Sequence, residues 1–327
     1  MTTPDARRTS WLARMPVWLM VVVMSTALFA AATYAATRPQ NGRPAPPPPV
    51  ASSGSNPSPT PSRSHLPTAS PSPAPEKPEL TAAVSAIEKK HDVQLGVAIA
   101  PLAPVGQQTV AAFEAGTVNT GKAWATLDVA IALAVMREPK QPEDLDYLLN
   151  RALIEGSTAA DEALWSFLGD PEDAAEKTRA ILQEAGDNAT VVRSTSPDPD
   201  VQPYAQTLWS NRAQAQFGAA IYCMDGTWSV MNRMDDQPAE ARWGLGRLAR
   251  TQYKSGSGTQ PNGTLLVRQF GAATLANGDR VGIGISAVAS ADAEQQAKDA
   301  ISELADTIYN QATGFGGSCN AAPLGGG

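Results

Sequence analysis

Few side chains in this 327-residue chain have the type and spacing for chemistry, and those that do point to acyl transfer or to anion binding. The candidate nucleophiles are the hydroxyls of Thr126, Ser157 and Ser255, and each needs a base to take its proton. A Ser-His-Asp arrangement is close to excluded: the folded part holds one histidine, His91, placed in a turn between a helix and a strand, and His65 lies in a Pro/Ser-rich stretch. A Ser-Lys pair made of Ser157 and Lys254 stays open. Lys254-Ser255-Gly256-Ser257 sets an ammonium and hydroxyls beside a glycine that lets a ligand backbone approach, which suits an anion-binding edge. Against that stands a second reading, in which Asp128 or Glu155 faces Lys254 and neutralises it. Cys223 and Cys319 form no Cys-x-x-Cys motif and the histidines are not clustered, so neither a metal nor a cofactor is expected. The two cysteines read as one disulfide in an oxidising compartment, or as a buried thiol and a free thiol in a loose tail.

The elements that must position these groups follow from periodicity. Leu80, Val84 and Ile87 fall at helical spacing over residues 80–90, and Leu95, Val97 and Ile99 mark a buried strand over 94–102 with a hairpin partner at 108–114. Residues 124–223 turn helical, with apolar runs at 127–136, 145–154, 159–167 and 172–184. A Pro- and Asp-rich loop over 194–205 precedes a further helix over 210–223. Strands return at 250–255, 264–275 and 280–289, with Gly256-Ser257-Gly258, Pro261-Asn262-Gly263 and Asn277-Gly278-Asp279 read as turns. A final helix over 291–311 carries Ala297, Ile301, Leu304 and Ile308 on one face. Arg268-Gln269 interrupts an otherwise apolar strand, where it faces either the cleft or an ion pair between lobes. Trp209, Trp228 and Trp243 read as a core cluster, with ligand stacking as the alternative.

At 43% hydrophobic the chain has ample material for one core, and a net charge of −7 without a basic stripe argues against nucleic acid. Residues 1–16 carry Arg7, Arg8 and Arg14 ahead of an uncharged stretch at 17–37, long enough to span a bilayer. The arginines favour a cytoplasmic N-terminus, which places the rest outside the membrane. A cleaved signal sequence, cut near Ala30-Ala31-Ala32, is the competing reading; the domain is then secreted rather than anchored. Residues 38–78, dominated by Pro, Ser, Thr and Ala, read as a disordered stalk. The folded domain is expected over 79–316, followed by a Gly-rich tail at 317–327.

Four segments in this order resemble the class A β-lactamases and penicillin-binding transpeptidases: the helix opening Ala125-Thr126-Leu127-Asp128, the stretch Glu155-Gly156-Ser157-Thr158-Ala159-Ala160-Asp161, the strand start Lys254-Ser255-Gly256, and the closing strands with their C-terminal helix. The resemblance implies an α+β fold, a five-stranded antiparallel sheet with N- and C-terminal helices plus an all-helical lobe. It also implies where chemistry would sit. The family's Ser-x-x-Lys pair corresponds here to Ala125 and Asp128, so the hydroxyl is a methyl group and the amine a carboxylate. Glu155, Gly156 and Ser157 stand where the family has Ser-Asp-Asn, and the loop over 194–205 offers Asp198 and Asp200 but no glutamate. The Thr158-Ala159-Ala160 that follows the loop survives, and Lys254, Ser255 and Gly256 match as they stand. The resemblance therefore implies a catalytically inactive domain, and with the N-terminal span and stalk it is expected to be a membrane-anchored extracytoplasmic binding or scaffold module, whose partner would be a peptidoglycan fragment or an envelope protein. Two alternatives stay open: a divergent serine hydrolase with a relocated nucleophile such as Ser157, and a fold whose cleft is filled.

Overall fold

Leu95, Val97 and Ile99 point to one side of β1 (Gln94–Pro101) while Ala98 and Ala100 point to the other, and both sets are buried. A strand that buries both faces must lie between two layers. The computed structural model describes residues 72–107 and 111–320. The expected span at 17–37, the expected stalk up to residue 71 and the end of the Gly-rich tail at 321–327 lie outside them. Among the described residues no helix is long and apolar enough to cross a membrane.

Five antiparallel strands run in the order β2-β1-β7-β6-β5, where β2 is Phe113–Gly116, β5 is Gln252–Thr259, β6 is Leu265–Thr274 and β7 is Arg280–Ala289. One face is covered by α1 (Pro78–His91), through Leu80, Val84 and Ile87, and by α8 (Glu294–Gln311), through Ala297, Ile301, Leu304 and Ile308. The other face receives α6 (Asn211–Cys223), which starts where Ser210 caps it by accepting from Ala213 N at 3.1 Å. Its backbone lies directly on β7: a Cβ added at Gly282 would stand 1.9 Å from Ala215 O. Only glycine allows that approach.

Beyond α6 the helical lobe is built around α2 (Asp128–Arg137), buried on all sides from Asp128 to Val135 as a helix apolar all round should be. Around it pack α3 (Leu145–Leu153), α4 (Thr158–Phe167), α5 (Pro171–Glu184) and α7 (Trp228–Asp235). The fold is thus the expected α+β arrangement of sheet, terminal helices and helical lobe. The expected turn at 256–258 is instead strand, since β5 continues to Thr259 in register with β6. Its glycines serve packing rather than reversal. The hairpin partner expected at 108–114 starts at Phe113, with 108–110 outside the described residues. Two three-residue strands, β3 (Thr120–Lys122) and β4 (Leu208–Ser210), pair as a small second sheet, too short to leave a pattern in the sequence.

Arg268 joins the two sheets. It is fully buried in β6, and its Nη1 donates to Gly121 O at 2.9 Å and Lys122 O at 3.0 Å, while Nη2 donates to Trp209 O at 3.0 Å and Asn211 Oδ1 at 3.1 Å. So it neither faces the cleft nor forms an ion pair, contrary to the sequence reading: its carbonyl partners lie on β3 and β4, out of the solvent. Gln269, on the opposite face, binds Trp243 O and Ser255 Oγ, each at 3.0 Å. The three tryptophans do not cluster either. Trp209 is core, packed on Phe217 and Phe270, whereas Trp228 is exposed and meets Tyr222, and Trp243 lies under the Lys298 ammonium. Cys223 and Cys319 are joined in a disulfide with Cα atoms 5.1 Å apart, tying the chain's last described turn to the end of α6.

Candidate functional site

The turn that feeds α2 runs over Trp124–Leu127 and lies flush against β5. A Cβ at Gly256 would stand 3.1 Å from Ala123 O, Ala125 N and Thr126 N, and one at Gly258 would stand 2.4 Å from the Trp124 ring. Glycines at these two positions let the turn close on the strand. Trp124 holds φ at 49°, a left-handed backbone that costs a residue with a side chain about 1–2 kcal/mol. Between this turn, the first turns of α4, the loop around residues 200–205 and the edge of β5 opens a cavity of about 280 Å³.

Ala125, Asp128 and Ser257 line that cavity, and Asp161, Glu162, Asp200 and Tyr204 complete its polar wall. Lys254 lies buried beneath it, donating to Ala152 O at 2.6 Å and standing 3.4 Å from Asp128 Oδ2. Of the two carboxylates expected to face this lysine, Asp128 does so and Glu155 does not. Glu155 turns outward and pairs with Arg151 one helical turn before it, at the surface. The candidate hydroxyls are committed elsewhere or lie off the cavity. Thr126 is fully buried, donates to Ala123 O at 2.5 Å and accepts from Gln214 Nε2 at 2.8 Å. Ser255 Oγ accepts from Gln269, and Ser157 sits at the N-cap of α4 without lining the cavity. His91 pairs with Glu303 on the far side of the sheet, at 2.8 Å.

Asp128 and Asp161 dominate the electrostatics. Burial pushes the Asp128 carboxyl well above the usual range; the Lys254 ammonium opposes this, and the Asp161 charge adds to it. Burial likewise raises Asp161 to about 6, with Lys254 opposing and Glu162 adding. The neighbouring Asp128 carboxyl holds Asp161 lower than burial alone would. Burial and the neighbouring carboxylates also raise the Tyr204 phenol, so it stays protonated. Both oxygens of Asp128, Oδ1 of Asp161 and Nε1 of Trp124 are buried without a hydrogen-bond partner.

A testable consequence follows for stability. A carboxyl whose pKa is raised by folding keeps a proton that the unfolded chain releases, so the contribution present below about pH 4 is lost as pH rises through the folded value near 6. Asp161→Asn, which cannot ionise, is expected to gain about 2 kcal/mol over the wild type between pH 4.5 and 7.5. Urea denaturation at these two pH values checks it; a constant difference between the proteins would show that Asp161 titrates normally.

Comparison with known proteins comes through structure alone. No protein-family model matches the chain, and no curated protein sequence does. Solved structures do. The TLA-3 extended-spectrum β-lactamase superposes with a TM-score of 0.56 at 14% identity, covering 72% of this chain and 98% of the enzyme. A β-lactamase from Chitinophaga pinensis gives 0.54 at 13% identity, covering 72% of this chain and 100% of that one. A class A β-lactamase from Bacteroides cellulosilyticus gives 0.52 at 13%, over 70% and 97% of the respective chains. At such identities the likeness establishes the fold, that of class A β-lactamases.

Proposed function

We propose that this β-lactamase-like domain does not perform serine acyl transfer and acts as a binding or scaffold module at the cell envelope, held there by the segment at 17–37 or released if that segment is cleaved. The observation that carries the reading is Ala125. It lines the cavity at the entry to the buried helix, where the fold would present a nucleophile, and a methyl group attacks nothing. One turn on, Asp128 replaces an amine by a carboxyl group that itself needs neutralising. No hydroxyl has moved in to substitute: Thr126 and Ser255 are engaged with backbone and glutamine, and Ser257, which does reach the cavity, shares it with no titratable group other than Tyr204 and the carboxyls already described. The stalk composition supports an extended tether and the disulfide supports an oxidising compartment. A peptidoglycan fragment or an envelope protein is the ligand class that such a location favours.

The test is intact-protein mass spectrometry of the full chain after incubation with benzylpenicillin and a panel of activated esters. The expected result is an unmodified mass throughout. A covalent acyl adduct would overturn the reading, and peptide mapping to Ser157 or Ser257 would then establish the divergent hydrolase in its place.

A further inference from the structure

The cleft carries a charge opposite to the one an anion-binding site needs. Four carboxyl groups, those of Asp128, Asp161, Glu162 and Asp200, line the cavity, and no lysine or arginine does. Lys254 lies underneath and gives its hydrogen bond to Ala152 O, while the Lys122 ammonium lies over the Trp124 ring, 5.2 Å from its centroid. Within this acidic lining, Asp128 and Asp161 are only 1% and 5% exposed, yet three of their oxygens accept no hydrogen bond. Buried acceptors left without donors are rare because each costs free energy comparable to a lost hydrogen bond. A partner for these three oxygens must bring donors, while Trp124 Nε1, buried on the same wall without a partner, has a donor of its own to place. Among biological groups an ammonium brings donors, three of them on one charged atom.

A divalent cation would fit less well. Among the described residues no group of His, Cys, Asp or Glu is arranged to hold a metal ion. Besides the polar Thr158, Gln202 and Ser257, the wall presents Trp124, Val201, Tyr204 and Ala205, which suit a methylene stem leading to a charged head. We infer that the cleft receives a primary ammonium group on an aliphatic stem, as in a lysine side chain of a peptide, with the ammonium seated against Asp128 and Asp161. This rests on the non-acylating reading above and adds the ligand's chemistry to it.

Binding is coupled to protonation. The groups facing the pair are Glu162 from α4, Asp200 and Tyr204 from the loop, and Lys254 from β5. With Asp161 titrating at about 6, lowering the pH to 5 returns its proton in most molecules, whereas the ligand amine stays charged throughout. The experiment is a ligand-observed NMR titration of the full chain with Nα-acetyl-lysine amide, using Nα-acetyl-norleucine amide as the uncharged isostere and Nα-acetyl-glutamate amide as the anion. Saturable binding of the lysine probe at pH 7.5 is expected, about tenfold weaker at pH 5, at least tenfold weaker in Asp161→Asn, and absent for the other two probes. Equal binding of norleucine, preference for the glutamate probe, insensitivity to pH or no binding of the lysine probe would each overturn it. The wild-type comparisons stand even if the variant fails to fold. The two readings fail separately: an acyl adduct defeats the non-hydrolytic reading, whereas a protein that stays unmodified yet ignores the amine defeats this one alone.

Discussion

Arg268→Met is expected to lower the unfolding free energy by about 4 kcal/mol. Methionine keeps most of the stem's volume, so little of the loss comes from a cavity. What is lost is the fork of donors that satisfies Gly121 O, Lys122 O, Trp209 O and Asn211 Oδ1 in a fully buried site. A buried ion can sometimes be exchanged for an apolar residue at no cost, but only where its partners are replaced with it; here the carbonyls of β3 and β4 remain and have no water to turn to. Burial pushes the guanidinium down to about 9, still above neutrality, so the wild-type group stays charged at pH 7. Arg268→Lys supplies a point charge without the planar fork and should fall between the two. Urea denaturation at pH 7 decides the matter, and a loss under about 1 kcal/mol would mean that the small sheet is held by other contacts.

Cutting the disulfide is the second large perturbation. Cys223 and Cys319 are separated by 96 residues, and a closed loop of that length removes about 4–5 kcal/mol of chain entropy from the unfolded state in the simplest treatment. Cys319→Ser is expected to cost about 4 kcal/mol. A reductant should destabilise the wild type by a similar amount and leave the variant unchanged. Identical denaturation midpoints for the wild type with and without reductant would show that the bond contributes nothing.

Much of this fold is written in apolar spacing. The period of two in β1, the apolar run of α2 and the one-sided stripe of α8 each place their residues without help from the structure. Glycines were less legible. The Gly256-Ser257-Gly258 run has turn composition, yet it is strand because the Trp124 turn must lie against it, a tertiary demand that no local pattern carries. At the site, the sequence pairs Asp128 with Lys254 correctly but passes over Asp161. Its signal was present: Asp161 lies three and four residues before Leu164 and Trp165, on the buried stripe of α4, and a carboxylate on an apolar stripe needs a reason. Glu155 shows the converse. Its place in the loop that resembles the family's Ser-Asp-Asn motif suggested a pairing with Lys254, but Glu155 lies just past the end of α3 and pairs with Arg151 of that helix's last turn.

The margins of the main sheet bear on how copies of this protein meet. An unpaired outer strand offers a row of N–H and C=O groups on which another chain can template. Here one margin is β2, four residues long, and the other is β5, whose flank is occupied by the Trp124 turn and by α7. Neither presents a stretch long enough to recruit a neighbour edge to edge. Among the described residues the two margins therefore offer a neighbouring copy little free backbone on which to pair edge to edge.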